Sequence, residues 1–530
     1  MSERFFNTAG PVDCERHYCV PPLTRFELAD VLRLIDQQKY FVLHAPRQTG
    51  KTSYLLALMD YLNRQGRYRC LYANVEVAQA AREDVAQGMQ AILNEIASWS
   101  RLYLNDSFVD EHWREVLAQS GEHAALGEML TRWAQHSDAP LVLLIDEIDA
   151  LVGDTLISVL RQLRAGYAKR PALFPQSVVL CGVRDVRDYR IHSARGKEII
   201  TGGSAFNVKA RSLRMGDFAR GEVAQLYAQH TEETGQPFEP EALALVWKLT
   251  QGQPWLVNAL GYETCFEMTM GRDRSQTVTA EMVVEAKERI ILRRETHLDQ
   301  LADKLKEPRV RRVIAPMLQG ESLDQRVSQD DIQYVCDLGL AQRAERGLQI
   351  ANPIYREIIP RELGFITQLN LESLYHSAWY VRPDGRLDVG NLLEAFQQFF
   401  REHSEHWVER FEYKEAGPQL LLQAFLQRVV NSGGRIEREY GLGRMRTDLL
   451  IVWPYPDGVQ RAVIEVKLLR GSLERTIEQG LAQTWAYADR CGADEAHLVI
   501  FDRTLGKSWE EKLFRREERY EGQRVVVWGM

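Results

Sequence analysis

The chain has 530 residues and a formal net charge of −8, with 45% hydrophobic and 26% charged residues. This composition is typical of a globular protein, and the length predicts several domains because single cores stop growing near about 250–300 residues. The net negative charge is a mild argument against nucleic-acid binding, so any contact with DNA must come from local basic patches. There is no apolar run of the length that spans a membrane and no apolar signal core at the start, so we expect a cytoplasmic protein.

Residues 1–20 are predicted to be an N-terminal tail. Cys14 and Cys19, with His17 between them, are the one close pair among seven cysteines. No second Cys/His pair follows at the spacing of a zinc site, so we expect free thiols in a reducing compartment.

Residues 21–215 alternate short apolar runs with longer amphipathic segments. Continuous apolar runs separated by helices predict a parallel sheet that is covered on both faces. Four such runs are present: Tyr40–His44, Cys70–Val75, Leu141–Ile145 and Ser177–Cys181.

A phosphate-binding loop is predicted directly after the first of these runs. Its residues are Ala45, Pro46, Arg47, Gln48, Thr49, Gly50, Lys51, Thr52 and Ser53. Backbone N–H groups of such a loop surround the phosphates of ATP, Lys51 reaches the β and γ phosphates, and the Thr52 hydroxyl binds Mg²⁺. Ala45 stands where the pattern has its first glycine, which is tolerable if the local φ is negative.

The third run ends in two adjacent carboxylates. Asp146 is predicted to join Thr52 in the magnesium shell, and Glu147 is predicted to polarise the water that attacks the γ phosphate. Arg184 follows the fourth run and either senses the γ phosphate or forms a surface ion pair. Four further arginines are equal candidates for an arginine finger that acts on a neighbouring subunit: Arg187, Arg190, Arg211 and Arg214.

Two further domains are predicted before residue 366. Residues 216–296 form a helical lid that is interrupted by Gly252-Gln253-Pro254, and residues 297–365 form a winged-helix domain. In the latter, Ser328 to Asp331 has the form of a capping box, and Leu340–Ile350 predicts a hairpin around Arg346-Gly347.

The order of these motifs resembles AAA+-related ATPases, particularly the archaeal-ATPase, origin-recognition and STAND-like branch, over residues 20–365. The resemblance implies that Pro254 lies near the base and ribose of the nucleotide. It also implies a homo-oligomer in which ATP drives assembly rather than steady turnover. The winged helix of such a protein contacts either DNA or a protein partner.

Residues 366–412 are predicted to be a helical connector, and residues 413–530 a separate α/β unit. Within that unit a hairpin centred between Pro456 and Asp457 places Asp448 opposite Glu465. Lys467 shares the face of Glu465 because strand side chains alternate, whereas Ile464 and Val466 face the core. Two carboxylates and one ammonium at one point of a sheet indicate a metal site that binds Mg²⁺ or Mn²⁺; a surface ion pair of Glu465 with Lys467 is the alternative.

The subsequent helix carries Gln483 and Tyr487 on one face. The pattern of Asp448, Glu465-x-Lys467 and Gln483-x-x-x-Tyr487 resembles the PD-(D/E)XK nuclease superfamily, closest to its RecB-like and resolvase-like members. The resemblance implies that Asp448 and Glu465 bind the metal, and that Gln483 and Tyr487 orient the catalytic strand or contact DNA. An additional helix carboxylate would be Glu415, with Glu439 as the alternative. Nearby arginines could neutralise phosphates or form a solvated face: Arg435, Arg438, Arg444, Arg446 and Arg470.

The sequence therefore predicts an ATP-binding and ATP-hydrolysing protein coupled to metal-dependent cleavage of DNA, with RNA as an open alternative. Fusions of this type resemble prokaryotic genome-defence and mobile-element proteins. Two other hypotheses remain: a nucleotide-dependent switch whose nuclease-like domain only clamps DNA or protein, and a motor or loader whose nuclease trims.

Overall fold

The computed structural model describes most of the chain in two compact units. The described residues are 3–185, 190–192, 199–201, 206–293, 301, 303–319, 327–344, 347–359, 380–410, 422, 425–426, 435–439, 447–469, 471–502, 504 and 507–530. Only the backbone is described for 190–192, 199–201, 292, 315–316, 318–319, 402–410, 435–439 and 447–448. The first unit comprises Met1–His297, Cys336–Ala341 and Ala351–Pro353, and the second comprises Leu298–Val335, Gln342–Ile350 and Ile354–Met530.

A five-stranded parallel sheet is the centre of the first unit. Its strands are β3 (Tyr40–His44), β4 (Arg69–Asn74), β5 (Leu141–Asp146), β6 (Ser177–Gly182) and β9 (Lys209–Arg214). Their order is β4-β5-β6-β3-β9, and every neighbouring pair is parallel. The four predicted runs are therefore confirmed as strands of a parallel sheet. The fifth strand was not predicted, because β9 lies at the sheet edge and its charged residues do not form an apolar run.

Helices cover both faces of this sheet, as the apolar runs predicted. One core cluster packs α1 and α2 against the sheet, and a second packs α3 to α6 against the other side. The helices are α1 (Leu28–Asp36), α2 (Lys51–Gln65), α3 (Val85–Tyr103), α4 (Phe108–Ser120), α5 (Ala125–His136) and α6 (Gly153–Gly166). A short antiparallel ladder of β7 (Arg190–His192) and β8 (Ile199–Thr201) lies between β6 and β9 in the chain.

The N-terminal segment is packed against helices of this unit and is not a free tail, which corrects the prediction for residues 1–20. Strands β1 (Phe5–Phe6) and β2 (His17–Tyr18) pair in parallel, and the Phe6 ring is completely buried against Tyr18 and Tyr227. The turn between the two strands brings Cys14 and Cys19 together in a disulfide. The expectation of free thiols was therefore wrong for this pair.

The described part of the predicted helical lid, residues 216–293, contains five helices and one π-helical turn, Glu263–Glu267. The helices are α7 (Arg220–Thr234), α8 (Pro240–Thr250), α9 (Pro254–Tyr262), α10 (Thr269–Arg272) and α11 (Ala280–Arg293). Pro254 occupies the first turn of α9, where its missing N–H group costs no hydrogen bond. The Gly252-Gln253-Pro254 turn therefore lies between the end of α8 and the start of α9.

In the region predicted as a winged helix, the structure contains α12 (Pro308–Gln319), α13 (Gln329–Asp337), β10 (Ala341–Ala344) and β11 (Gly347–Ile350). Strands β10 and β11 form a two-stranded sheet, which confirms the pairing expected of the predicted hairpin. Arg346 of its predicted turn lies outside the described residues. Ser328 Oγ accepts the backbone N–H of Asp331 at 3.1 Å, so Ser328 caps α13 as its sequence pattern indicated.

The second unit contains a six-stranded mixed sheet. Its strands are β12 (Arg435–Glu439), β13 (Thr447–Tyr455), β14 (Gly458–Leu468), β15 (Glu495–Phe501), β16 (Phe514–Tyr520) and β17 (Gln523–Gly529). The order is β12-β13-β14-β15-β17-β16; β14, β15 and β17 are mutually parallel, and the other neighbouring pairs are antiparallel. Helix α15 (Leu473–Cys491) packs on one face, and a short helix α16 (Trp509–Lys512) precedes β16.

Helix α14 (Val389–Arg410) packs against this sheet. This corrects its prediction as part of a connector over residues 366–412. Its apolar stripe, including Leu392 and Phe396, forms one core with the other face of the sheet, including Ile464 and Phe501. The C-terminal α/β structure therefore begins before residue 413. Within the described part of the chain, no helix combines the length and apolar character needed to cross a membrane.

Candidate functional site

The loop between β3 and α2 has the backbone that its sequence predicted. Ala45 is completely buried, its N–H donates to Gly182 O at 3.2 Å, and it is not among the residues with positive φ. The alanine therefore fits where the pattern has its first glycine. Gln48 and Gly50 have φ of 57° and 95°, and Gly50 caps the N-terminus of α2. Such a loop directs backbone N–H groups toward a bound anion.

Lys51 is the buried cation of this loop. Its side chain folds over the loop, where Nζ donates to Ala45 O at 3.1 Å and to Pro46 O at 3.0 Å. The residue is only 6% exposed, so most of its charge is shielded from water. Because these acceptors are neutral carbonyl oxygens, the loop retains the full positive charge for an anionic ligand.

Thr52 and Asp146 meet at the carboxyl end of the sheet, although they are 94 residues apart. Thr52 Oγ1 donates to Asp146 Oδ2 at 2.7 Å, and the Tyr72 hydroxyl donates to the same oxygen at 3.1 Å. A hydroxyl and a carboxylate side by side are the oxygen donors that Mg²⁺ prefers. The two residues therefore fit the predicted magnesium site. Tyr72, which orients the carboxylate, was not predicted because only strand pairing brings β4 beside β5.

Glu147 follows Asp146 in an unusual backbone conformation. Its φ of 55° lies in the left-handed region, which non-glycine residues rarely adopt. Burial raises the pKa of Glu147 to about 7, although nearby Lys51 opposes the shift. A carboxylate with such a pKa can exchange a proton near neutral pH.

A cavity of about 130 Å³ adjoins the loop and is lined by Gly50 and Ser53. Pro254 and Asn258 of α9 line it as well, so Pro254 lies beside this loop. That Pro254 lies near the base and ribose of a bound nucleotide stays a prediction. Arg25 lines the same cavity and donates from Nη1 to Thr49 O at 3.0 Å. No local motif pointed to Arg25 or Asn258.

Arg184 forms an ion pair, but the pair is nearly buried and is not the surface pair that was one of its two predicted roles. Its Nε lies 3.3 Å from Asp337 Oδ2, and both side chains are nearly buried. Among the finger candidates, Arg214 donates to Cys336 O at 2.8 Å and Arg211 lies 3.8 Å from Asp30. Arg187 and the side chain of Arg190 lie outside the described residues.

In the second unit, backbone pairing aligns three acidic residues. Asp448 is the register partner of Glu465 on β14, which confirms the predicted pairing, and Glu439 on β12 is the register partner of Asp448. Glu439 therefore lies on a strand and not on a helix, in contrast to the predicted helix carboxylate. Glu415 and the side chains of Glu439 and Asp448 lie outside the described residues.

Glu465 and Lys467 form an ion pair on β14, in which Lys467 is half-buried. Glu465 is completely buried, and its Oε1 lies 2.5 Å from Lys467 Nζ. Lys467 Nζ also donates to Gln483 Oε1 of α15, and Tyr487 is buried one turn later in the helix. Ile464 and Val466 point into the core on the opposite face, as predicted.

This pair is not the exposed ion pair that was the alternative, because both of its members are shielded and a helix residue orients the lysine. Among the described side chains, no group of three or more His, Cys, Asp and Glu residues is placed to hold a metal.

Solved structures of three proteins are among those that are similar to the chain. The Walker-type ATPase PABY2304 of Pyrococcus abyssi is 13% identical, with a TM-score of 0.44, and the match covers 67% of this chain and 99% of that one. Cdc6p from Pyrobaculum aerophilum is 15% identical, with a TM-score of 0.34, over 67% and 94%. The Holliday junction branch migration motor RuvB of Thermotoga maritima is 13% identical, with a TM-score of 0.32, over 62% and 94%.

A comparison with curated proteins finds no match. The sequence model of the AAA-like domain family matches residues 29–359. This range is more than half of the sequence and includes the phosphate-binding loop. On this evidence, the chain belongs to the family of AAA-like domains.

Proposed function

We propose that the chain is an ATP-controlled, metal-dependent nuclease that acts on DNA. The AAA-like domain would bind and hydrolyse ATP, and the C-terminal α/β unit would cleave phosphodiester bonds. The observation that carries the second activity is the ion pair of the buried Glu465 with the half-buried Lys467, beside the register position of Asp448.

The ATP half of the proposal rests on four side chains of the first unit. Lys51 supplies a shielded positive charge for the phosphates, and Thr52 with Asp146 supplies oxygen ligands for Mg²⁺. Bound Mg²⁺ would neutralise charge on the phosphate oxygens. Glu147 is the group that would accept the proton of the attacking water, because its pKa of about 7 permits exchange near neutral pH.

The nuclease half rests on the cost of burying charge. A carboxylate that is 0% exposed costs several kcal/mol unless it is paired. Lys467 compensates Glu465, while Gln483 holds the ammonium from the helix side. With Asp448 opposite, the site would offer two carboxylates to Mg²⁺ or Mn²⁺, which would act as a Lewis acid on the scissile phosphate. Lys467 would then orient the nucleophile or steady the phosphate.

A third acidic residue lies beside this pair of carboxylates in the sheet, on strand β12. Glu439, the register partner of Asp448 on the first strand, would be a third carboxylate at the same level of the sheet.

The test uses the full chain with Mg²⁺ or Mn²⁺ and supercoiled DNA, linear DNA or RNA, with and without ATP. We expect cleavage by the unsubstituted protein and no cleavage by Asp448→Ala or Lys467→Ala. In Lys51→Ala, we expect the cleavage rate to be the same with and without ATP. Gln479→Ala is the matched control, because Gln479 is an exposed glutamine of the same helix as Gln483. If ATP binds normally but no substrate is cleaved under any condition, the nuclease half is wrong and a nucleotide-dependent switch replaces it.

A further inference from the structure

Arg25 lies where the phosphate-binding loop meets the start of the helical lid. Its Nη1 donates to Thr49 O of the loop at 3.0 Å, and its Nη2 donates to Gly216 O. The guanidinium carbon lies 4.6 Å from the centroid of the Phe218 ring, within the range of a cation–π contact. Gly216 and Phe218 belong to the segment that joins β9 to α7. One side chain therefore connects the loop to the lid.

The contact with Thr49 fixes one peptide group of the loop. Thr49 is completely buried, and its own Oγ1 donates to Pro46 O at 2.8 Å. The peptide between Thr49 and Gly50 is trans, so its C=O and N–H groups point in opposite directions. Because Arg25 holds the carbonyl of this peptide, it also sets the direction of the Gly50 N–H. Such N–H groups are what the loop offers to the phosphates.

The other end of this connection is fixed to the lid. The Phe218 N–H donates to Gly252 O at 2.8 Å. Gly252 has a φ of 81°, and a Cβ at this position would lie 2.1 Å from Phe218 O. The segment at Phe218 and the turn before α9 are therefore packed too closely to move independently. Through these contacts, Arg25 ties the loop to the turn that carries Pro254.

We propose that Arg25 is a positioning residue for ATP binding, which orients the peptide between Thr49 and Gly50 toward the phosphates and holds the loop against the start of the lid. A planar guanidinium suits this role, because it reaches two carbonyl groups at once while its face packs on an aromatic ring. A lysine has one compact ammonium and cannot form all three contacts. The inference rests on the nucleotide binding proposed above, and it requires no direct contact between Arg25 and ATP.

The test compares the full chain with Arg25→Ala and Arg25→Lys. Displacement of a fluorescent ATP analogue gives the dissociation constant and the fraction of protein that binds, and phosphate release gives KM and kcat. We expect both variants to raise the dissociation constant and KM by about 10-fold, the effect of losing a hydrogen bond from a charged group, while kcat stays within about 3-fold. Arg33→Ala should change neither, because the Arg33 side chain is 58% exposed and pairs with Asp30 on the surface of α1.

Added guanidinium gives a second readout. Arg25 lines the cavity beside the loop, so its truncation leaves room there for a free guanidinium ion. Guanidinium chloride at low millimolar concentration should therefore restore part of the ATP affinity that Arg25→Ala loses. Sodium chloride at the same concentration should not, and equal effects of the two salts contradict the proposal.

The variants separate positioning from other roles of Arg25. An unchanged dissociation constant in Arg25→Ala, with only a smaller fraction of protein that binds, would assign the residue to stability and overturn the proposal. Unchanged ATP affinity in Arg25→Lys would show that a positive charge suffices, which overturns it as well. An unsubstituted protein that binds no ATP contradicts nucleotide binding itself, which is a different failure from the loss of positioning by Arg25.

Discussion

Arg184 and Asp337 form a buried ion pair within the first unit, with Nε 3.3 Å from Oδ2 and side chains that are 11% and 1% exposed. Asp337 is the last residue of α13, and it is followed by Gly339, which has a φ of 75°. A Cβ at Gly339 would lie 2.8 Å from Pro46 of the phosphate-binding loop. The end of α13 and the loop thus belong to one packed region.

We expect Asp337→Ala to destabilise the protein by about 3 kcal/mol, because removing one partner of a buried pair leaves the other charge poorly compensated. Urea unfolding of the full chain measures the change. Asp60→Ala is the control, because Asp60 pairs with Arg64 at 3.2 Å on the surface, where such a pair contributes about 0–1 kcal/mol. Equal unfolding midpoints for the two variants would show that burial adds nothing to the Arg184–Asp337 pair.

The hydrogen bond from Tyr72 to Asp146 gives a second prediction. Groups that orient a metal-binding carboxylate typically contribute about 10–100-fold to metal affinity. We expect Tyr72→Phe to raise the Mg²⁺ concentration for half-maximal ATP hydrolysis by about 10-fold, with ATP binding in the absence of Mg²⁺ unchanged. Tyr61→Phe is a suitable control, since Tyr61 is a half-buried tyrosine of α2. An unchanged Mg²⁺ requirement in Tyr72→Phe would assign the tyrosine to packing alone.

The sequence predicted those features that local patterns determine. Apolar runs located four of the five strands in the first sheet, and the turn at Pro456 and Asp457 set the register that pairs Asp448 with Glu465. Features that depend on contacts between distant segments were missed. Asn258 and Arg25 line the cavity beside the loop although they are distant from each other in the sequence. No local sequence pattern therefore predicts either position.

Helix α14 illustrates the same limit. Its apolar stripe predicts an amphipathic helix, but periodicity does not say which surface the stripe covers. The disulfide between Cys14 and Cys19 depends on a turn in which the N–H groups of Arg16 and His17 donate to Asp13 O. The spacing of two cysteines alone does not predict that turn.

The contact between Lys467 and Gln483 gives a prediction for the proposed nuclease. Gln483 Oε1 accepts from Lys467 Nζ, so removing the amide frees the ammonium to rotate away from the substrate. We expect Gln483→Ala to lower the cleavage rate by about 10–100-fold, the usual effect of losing an orienting partner. Gln483→Glu retains an acceptor and should preserve more activity than the alanine variant.

The measurement is single-turnover cleavage of labelled DNA, and circular dichroism checks that each variant is folded. Gln479→Ala, an exposed change in the same helix, should cleave at the unsubstituted rate. A Gln483→Ala protein with full cleavage activity would mean that Lys467 needs no orientation from α15.

The assignment of α14 to the C-terminal core gives the last prediction. The Phe396 ring is completely buried and lies 5.4 Å from the Phe425 ring and 6.3 Å from the Phe501 ring, measured between centroids. Truncation of a buried phenylalanine to alanine costs about 3–5 kcal/mol, from lost transfer energy and from the cavity that remains. We expect Phe396→Ala to destabilise the C-terminal α/β structure by this amount, because a helix that only connected domains would not bury the ring.

Hydrogen exchange followed by mass spectrometry locates the effect. In Phe396→Ala, peptides from β14 and β15 should exchange faster, whereas peptides from β3 and β5 of the first unit should keep their protection. Glu394→Ala changes an exposed residue of the same helix and should alter neither set of peptides. Unchanged protection of β14 and β15 in Phe396→Ala would contradict the assignment of α14 to the core. A helix that contributes to the core cannot lose its central ring without loosening the strands beneath it.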